Sequence, residues 1–341
     1  MIAVVTGSSG FIGSHLVNEL LARGATVRAL VRPQSTRTGW SATPSANFTL
    51  HEIDVLNAHA VAASELWNDA THVFHLAGLT TATSMAEFRL GNVAPLTNIL
   101  SALSNRESPP RVVVVSSQAA AGPARSRELP VRESDTPAPL ESYGVSKREA
   151  ELVANSYADR LPIAIIRPPA VYGPNDHDFL AAFKQAITPV ALHAIAPDHW
   201  FDLVHVSDVV NALIMAAENP RATGQTYFLA SDTSLRWRDL YNIIAQCAGT
   251  KTRQLKLPQP LLRIAALAGD VFGLVTKRTP LINSQKLELA RPAFWLCDSA
   301  RIRTELGWQP QITPQIGVPQ TYLWYVDAGW LSRKQGVAPQ L

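Results

Sequence analysis

The chain has 341 residues and a mass of 37.0 kDa, which is enough for two domains or one large one. Hydrophobic residues make up 47% of it, so a globally disordered chain is not expected, and a net charge of +3 from 30 basic and 27 acidic residues is too weak and too mixed to indicate a nucleic-acid groove. The two cysteines, Cys247 and Cys297, cannot form a disulfide framework or a multi-cysteine zinc site, and they favour reduced thiols in a cytoplasmic protein.

Short apolar runs alternate with helical patterns through the first half of the chain. The runs predict strands at Ile2–Val5, Thr26–Val31, Phe48–Asp54, His72–Leu76, Arg111–Ser116 and Ile163–Arg167. Apolar residues at helical spacing predict helices over Phe11–Arg23, Met85–Leu103 and Tyr143–Tyr157. Strands that alternate with helices become parallel neighbours joined by crossovers, so the sequence predicts an α/β fold with a doubly wound parallel sheet.

The alternation of strand and helix patterns weakens after Gly173, where proline and tryptophan become frequent. Beyond that point only Phe201–Val206 and Gln225–Leu229 still have the pattern of strands. We therefore predict a first domain made of residues 1–173 and about 201–231. A smaller, partly interleaved second domain would comprise residues 174–200 and 232–335. Within Leu257–Val275, the apolar stretch Pro260–Val275 is interrupted by Arg263 and Asp270 and is short for a membrane span. It favours an amphipathic helix over a core or a substrate pocket, with a helix on a membrane surface as the alternative.

A glycine-rich turn, Thr6-Gly-Ser-Ser-Gly-Phe-Ile-Gly13, lies between the first predicted strand and the first predicted helix. Glycine allows a sharp turn and a close approach of the backbone to a pyrophosphate, and the helix N-terminus beyond it offers unpaired N–H groups. The position of the motif therefore favours a dinucleotide site over an ordinary turn.

The end of the second strand bears on the choice of cofactor. Enzymes that use NAD hold the adenosine ribose with an acidic residue near this point, but here the nearby charges belong to Arg28, Arg32 and Arg37. Arginine suits a 2′-phosphate, so we expect NADP(H) to be favoured over NAD(H) unless these arginines are solvated surface charges. Asp54 would accept a hydrogen bond from the adenine amino group or, alternatively, cap a turn.

Three side chains form a candidate catalytic group. Tyr143 and Lys147 are four residues apart in a predicted helix and so share one face. An ammonium group beside a phenol favours the phenolate and would move the pKa of Tyr143 toward neutral pH. Ser117 follows the valine-rich strand at its carboxyl end, where ligands bind in such sheets, and its hydroxyl would polarise a reacting oxygen.

These motifs, in this order, resemble the extended branch of the short-chain dehydrogenase/reductase superfamily, the NAD(P)-dependent epimerase/dehydratase family. The resemblance also covers His75–Gly78, Asn92-Val93, Arg167–Pro174, Phe201–Asp208 and Leu306–Trp308. It implies that the first domain is a Rossmann-like, dinucleotide-binding domain, that the second binds the substrate, and that Ser117, Tyr143 and Lys147 are catalytic. Many relatives dimerise through the helices that match Met85–Leu103 and Tyr143–Tyr157. Besides Arg32, Asp54 and the catalytic pair Tyr143 and Lys147, the residues that the resemblance and the glycine turn place at the cofactor are Gly7, Ser9, Gly10, Phe11, Ile12, Gly13, Val55, Leu76, Ala77, Gly78, Asn92, Ser116, Pro168 and Val171.

The chain departs from its relatives in ways that bear on the reaction. Gln118-Ala119 stand where 4,6-dehydratases resemble one another in an Asp-Glu pair, and Ala170 stands where sugar-nucleotide enzymes often have an asparagine that holds the diphosphate. The segment around Leu257–Ile264 is similar to bacterial hydroxysteroid dehydrogenase-like and dihydroflavonol reductase-like proteins. Pro95, shortly after Asn92, departs from the common motif and puts the local helix geometry in doubt.

The expected reaction is therefore the interconversion of a secondary alcohol and a ketone on an apolar or aromatic small molecule, by a homodimer that binds no nucleic acid. A nucleotide-sugar epimerase with tightly bound NAD and a non-catalytic dinucleotide sensor are the alternatives. His75, His177, His199 and His205 lack ligand spacing, so no metal site is expected.

Overall fold

The computed structural model describes residues 1–33, 40, 45–276 and 284–332. Its strands in chain order are β1 (Ile2–Thr6), β2 (Thr26–Val31), β3 (Phe48–Glu52), β4 (His72–His75), β5 (Arg111–Val115), β6 (Ile163–Arg167), β7 (Ala170–Tyr172), β8 (Val190–His193), β9 (Trp200–Phe201), β10 (Leu203–His205), β11 (Thr226–Phe228), β12 (Leu235–Arg236), β13 (Arg253–Lys256) and β14 (Phe294–Trp295).

The helices lie between these strands and after them. In chain order they are α1 (Phe11–Ala22), α2 (Ala58–Ala62), α3 (Met85–Asn92), α4 (Ala94–Ser104), α5 (Ser142–Ser156), α6 (Leu180–Ala186), α7 (Val206–Glu218), α8 (Trp237–Cys247), α9 (Gln259–Thr276), α10 (Ser284–Ala290), α11 (Ala300–Leu306) and α12 (Pro314–Asp327). Each predicted strand and helix of the first half is present, with ends that differ by one or two residues.

A parallel sheet of seven strands, counted over the described residues, forms the centre of the molecule. Its strand order is β3-β2-β1-β4-β5-β6-β11, so successive strands are added outward from β1 in both directions. Helices α1, α7 and α11 share a core with one face of this sheet, and α2, α4 and α5 share a core with the other. β5 contains four consecutive valines because both of its faces are buried. The prediction of a doubly wound, Rossmann-like α/β sheet is confirmed.

Two predicted elements differ in the structure. The run Phe201–Val206 is not one strand, because β9 and β10 belong to different sheets. Between them lies the buried Asp202, whose carboxylate accepts hydrogen bonds from the Cys297 N–H and the Ser234 hydroxyl and so fixes a bend. The helical pattern Met85–Leu103 is divided into α3 and α4 at Val93, because Pro95 begins a new helix at its first turn.

The later part of the chain builds smaller layers against the carboxyl ends of the central strands. A third core holds α6, α8 and α12 together around Phe183, Leu240 and Tyr325. The segment Leu257–Val275 is largely helical, as α9, with side chains described as far as Phe272. Among the described residues no helix is long and apolar enough to cross a membrane.

Candidate active site

The glycine turn packs tightly at the junction of β1 and α1. Gly7 has a φ of +66°, and a Cβ atom there would lie 2.7 Å from the backbone nitrogen of Ala77. A Cβ atom on Gly13 would lie 2.1 Å from the carbonyl oxygen of Gly7. Both positions therefore require glycine, since any side chain would push β1, α1 and the end of β4 apart.

A cavity of about 760 Å³, which we call the glycine groove, opens in front of this turn at the point where the sheet order reverses between β1 and β4. Its size is within the range of cofactor sites. Nine of the predicted cofactor residues line it: Gly7, Ser9, Gly10, Arg32, Asp54, Val55, Leu76, Ala77 and Gly78. Gly10 is the N-cap of α1. Because no side chain caps the first turn of this helix, its N–H groups are available to an anion. The groove thus fits a dinucleotide pyrophosphate.

The charged residues near the ends of β2 and β3 differ in whether they face the glycine groove. Arg32 is exposed and lines the groove, whereas the guanidinium of Arg28 donates to the carbonyl oxygens of Leu66 and Asn68 and is turned away from it. Asp54 lines the groove while one of its carboxylate oxygens accepts from the Leu56 N–H at 3.0 Å, so it caps a turn as well. Arg37 lies outside the described residues.

Tyr143 and Ser117 are brought together by the start of α5 and the end of β5. The Tyr143 phenol forms a hydrogen bond with the Ser117 side chain. Glu141 caps α5 by accepting from the N–H groups of Tyr143 at 2.6 Å and of Gly144 at 2.7 Å, which fixes the first turn on which the phenol stands. Sequence analysis missed this cap, because glutamate is not among the usual N-cap residues.

The pKa of Tyr143 moves in the opposite direction from the sequence expectation. Burial raises it to about 12, the negative charges of Glu141 and Asp178 add to the rise, and the hydrogen bond with Ser117 opposes it. The ammonium of Lys147 does not lower this pKa, because it is turned to another partner. At neutral pH the phenol therefore keeps its proton.

Lys147 stands one helical turn after Tyr143 on α5 and is buried. Its Nζ donates to the carbonyl oxygen of Val115 at 2.6 Å and lies 3.9 Å from the position of a Cβ atom on Gly78, so it reaches the wall of the glycine groove. Burial lowers its pKa to about 8, and the negative charge of Glu151 opposes that shift. The ammonium group is thus held between the candidate catalytic pair and the groove.

The remaining predicted residues surround this centre without lining the glycine groove. The amide of Asn92 bonds both backbone polar groups of Leu79 and donates to the Ser146 hydroxyl at 2.8 Å, so it braces the end of β4 against α5. The carbonyl of Pro168 accepts from the Gln118 N–H at 2.9 Å, which places the Pro168–Val171 segment beside Ser117. Ile12 and Val171 are packed against the core, and Phe11 contacts the ring of His15.

Ser116 is part of a buried network that spacing did not reveal. Its hydroxyl donates to Glu151 at 2.6 Å, so its side chain faces away from the position predicted for it at the cofactor. Glu151 also receives two hydrogen bonds of 2.7 Å from Arg167, which is itself buried. The network joins β5, β6 and α5 directly behind Lys147.

Another set of charged and aromatic side chains lies outside the lining of the glycine groove. Asp178 is exposed, yet close enough for its charge to raise the pKa of Tyr143. The guanidinium of Arg127 lies 4.0 Å from the ring centre of Trp200, and His177 packs on Trp330. No group of three His, Cys, Asp or Glu side chains within the described ranges is arranged to hold a metal ion.

A separate cavity of about 540 Å³ lies beneath α9, and we call it the α9 cavity. It is bounded by α9, by α10 and by the segment that precedes β9. Its lining is mostly polar and charged, with a smaller apolar share, and includes Ala266, Leu267, His199, Lys256, Gln259, Arg263, Ser284, Glu288 and Arg291. Arg291 is paired with Glu288 at 3.0 Å.

Residues 3–230 match the model of the NAD dependent epimerase/dehydratase family, which is more than half of the chain. The chain belongs to this family. It is an NAD(P)-dependent enzyme of the extended short-chain dehydrogenase/reductase type, and the resemblance inferred from its motifs is confirmed.

Curated relatives of similar length include both reductases and epimerases. A 4-hydroxy-2-methyl-3-oxo-4-farnesyl-3,4-dihydroquinoline-1-oxide ketoreductase of Stigmatella aurantiaca is 28% identical over 92% of this chain and 93% of its own. A ceramide reductase of Caulobacter vibrioides is 26% identical, with coverage of 97% and 96%. A UDP-glucose 4-epimerase of Vibrio cholerae is 25% identical, with coverage of 95% of each chain.

Solved structures agree with the fold. The dTDP-glucose 4,6-dehydratase DesIV of Streptomyces venezuelae, solved with NAD and TYD bound, superposes with a TM-score of 0.78 at 21% identity, over 97% of this chain and 99% of its own. At 21% identity this structural similarity supports the fold, whereas the reaction depends on the residues of the site.

Proposed function

We propose that this protein is an NADPH-dependent ketoreductase that converts a ketone on an apolar or aromatic small molecule into a secondary alcohol. The observation that carries the proposal is a buried, protonated phenol in hydrogen-bond contact with Ser117, on the same helix as Lys147, whose ammonium reaches the wall of a groove suited to a dinucleotide. The reductase relatives support it, since two of the three described above are named for the reduction of large apolar molecules.

The glycine turn and the first turn of α1 would hold the pyrophosphate, and Lys147 would hold the ribose next to the nicotinamide. When bound, the cofactor supplies a hydride to the carbonyl carbon. Ser117 would donate a hydrogen bond to the carbonyl oxygen, and Tyr143 would give that oxygen its proton, so the carbon gains the hydride and the oxygen gains the proton. Asn92 would have a positioning role, because its side chain holds the backbone of Leu79.

The raised pKa of Tyr143 is consistent with the role of proton donor in the reductive direction. A phenol with a pKa of about 12 is protonated at pH 7 and can serve as a general acid, whereas oxidation of an alcohol would require its phenolate as a base.

The alternative is a nucleotide-sugar epimerase with retained NAD, which the Vibrio cholerae relative and the structural likeness keep open. Two features of this chain speak against it: Ala170 cannot donate a hydrogen bond to a diphosphate, and the groove presents Arg32 where NAD-retaining enzymes use an acid. A non-catalytic sensor has less support, because Ser117, Tyr143 and Lys147 are all present.

A panel of carbonyl compounds tests the reaction. We expect NADPH oxidation, followed at 340 nm, with long-chain 3-keto lipids, steroid ketones or aromatic ketones, and no turnover of UDP-glucose or UDP-galactose. A protein that is purified with bound NAD and interconverts the two UDP-sugars would overturn the proposal in favour of the epimerase. A protein that binds NADPH tightly but reduces none of the panel would favour the sensor.

The cofactor preference is tested at Arg32. Replacement by alanine should raise the KM for NADPH about tenfold and leave the KM for NADH nearly unchanged, because a charge-assisted hydrogen bond to the 2′-phosphate is lost. Arg28→Ala, in which the altered arginine faces away from the groove, is the matched control. A wild-type preference for NADH would contradict the choice of NADP(H).

We also propose how the chain assembles and how it is divided into domains. We expect a homodimer through α3, α4 and α5, supported by the exposed Leu152 on α5, with twice the 37.0 kDa chain mass in light scattering. Residues 1–173 with about 201–231 would bind the cofactor and the rest the substrate. The buried, unpaired Cys247 and Cys297 suit a cytoplasmic enzyme.

A further inference from the structure

We propose that α9 docks this enzyme on the surface of a bilayer that contains anionic phospholipids, and that the enzyme takes its apolar ketone from that bilayer. The inference rests on the proposed function, because it names the source of the proposed substrate. It is carried by an exposed apolar helix face, by the distribution of charge along the chain and by the cavity beneath the helix.

The outward face of α9 is apolar. Leu262 and Ala266 are turned into the protein and are each 1% exposed. On the opposite side, within an arc of about 140° at 100° per residue, five large apolar side chains are between 50% and 65% exposed. These are Leu261, Ile264, Leu267, Val271 and Phe272. A helix on a water-facing surface carries polar residues at such positions, so this face needs a cover.

Exposed apolar side chains are also found on the paired strands β8 and β13, of which β13 directly precedes the helix. Val190 and Leu192 of β8 and Leu255 of β13 are exposed, and the register pairs Leu255 with Leu192. Of the fifteen large hydrophobic residues exposed among those that the structure describes, eight belong to β8, β13 and α9. The exposed apolar surface is therefore concentrated in one part of the chain.

The charge in this part of the chain identifies what covers the face. Residues 251–291 contain eight lysines and arginines and two acidic residues, a net charge of +6, while the whole chain carries +3 and the remainder therefore −3. Lys251, Arg253, Lys256 and Arg263 are exposed in the structure. A second copy of this basic face would be repelled, whereas anionic headgroups are attracted to lysines and arginines beside an apolar helix face.

The α9 cavity lies next to this surface, because it is lined by Arg263 and Ala266 on the inner side of the helix and by Leu267 at the edge of the outward face. A helix seated on a bilayer would bring the rim of that cavity to the level of the lipid. Two relatives are named for substrates that carry hydrocarbon chains, a ceramide and a farnesyl quinoline oxide. A ketone of that kind is concentrated in membranes, and a docked enzyme would take it up there.

Vesicle flotation with the full chain tests the proposal. The probes are vesicles of phosphatidylcholine with 30% phosphatidylglycerol and vesicles of phosphatidylcholine alone, each in 0.1 M and 0.5 M NaCl. We expect the wild type to float with the anionic vesicles and to bind at least tenfold less to the neutral ones or in high salt. Ile264→Glu with Val271→Glu should reduce binding to the anionic vesicles at least tenfold, because two charges would enter the apolar face.

The matched control is Ile316→Glu, which places the same charge on an exposed position of α12 and should bind vesicles as the wild type does. Turnover of a short, water-soluble ketone without lipid should be equal in all these proteins and reports that they are folded. Wild-type flotation that is absent, or unchanged in the double variant, overturns the inference. So does a salt-independent dimer that the double variant disrupts. If vesicles bind and no ketone is reduced, the proposed function fails instead.

Discussion

The glycine groove and the α9 cavity are built in opposite ways. Around the groove, strand ends and helix starts are tied by short bonds, such as those of Asn92 to Leu79 and of Lys147 to Val115. The α9 cavity is covered by a helix whose outer face is exposed and whose inner face buries only Leu262 and Ala266 among its fully described residues. We call the part around the groove the rigid half and the part around α9 the adaptable half.

The largest effect on stability is expected at Glu151, behind the rigid half. Glu151→Gln leaves the buried Arg167 without its counter-charge, and we expect the free energy of unfolding to fall by about 3–5 kcal/mol. The control is Glu149→Gln on the same helix, because Glu149 pairs with an exposed Arg89 and should cost less than about 1 kcal/mol. Equal losses in urea denaturation would show that the network behind Lys147 is not what stabilises this half.

Gly13→Ala tests the tightness of the glycine turn. The new methyl group would meet the carbonyl oxygen of Gly7, so the start of α1 must move, and NADPH should bind about 100-fold more weakly, at a cost near 3 kcal/mol. Gly24→Ala should lower stability by about 1–2 kcal/mol through its left-handed backbone while NADPH binding is unaffected. Fluorescence titration of NADPH distinguishes them; normal binding to Gly13→Ala would contradict the account of the turn.

A pair of substitutions on α9 examines the adaptable half. Leu262→Ala should lower the free energy of unfolding by about 2 kcal/mol, because a buried side chain is removed from a helix with few other inward contacts. Ile264→Ala, at an exposed position two residues away, should change it by less than about 0.5 kcal/mol without lipid. Chemical denaturation of both variants would refute the described orientation of α9 if their effects were reversed.

The smallest effect concerns pH. Burial lowers the pKa of His205 to about 4, so between pH 6.5 and 4 the unfolded chain binds a proton that the folded chain does not, and stability falls as the pH falls. His205→Asn keeps a cap for the Ser207 N–H and removes this titration. From pH 7 to pH 5 the variant should lose about 1–2 kcal/mol less than the wild type in urea titrations, and parallel losses would refute the assignment.

The sequence was most informative where a residue's role depends on its neighbours along the chain. Alternating apolar runs predicted the central sheet, and the glycine spacing and the four-residue step from Tyr143 to Lys147 placed both motifs correctly on the fold. Pro95 put the geometry of the predicted helix Met85–Leu103 in doubt, and the structure divides that helix into α3 and α4. These features are local, so no knowledge of distant contacts was needed.

What spacing could not reveal depends on contacts between distant residues. The shift in the pKa of Tyr143 follows from burial and from the carboxylates of Glu141 and Asp178, while Lys147, on α5, donates to a carbonyl of β5. The guanidinium of Arg28 turned out to be bound by carbonyls near the start of β4. Such partners are set by the packed fold, and no periodic pattern encodes them.

The most direct test of the central claim is the Tyr143→Phe variant assayed with NADPH and a ketone that the wild type reduces. The account predicts that kcat falls about 10²–10⁴-fold, because the general acid is lost, while the Kd for NADPH changes less than threefold. A kcat within about threefold of the wild type, at unchanged NADPH affinity, would contradict the claim that this phenol supplies the proton.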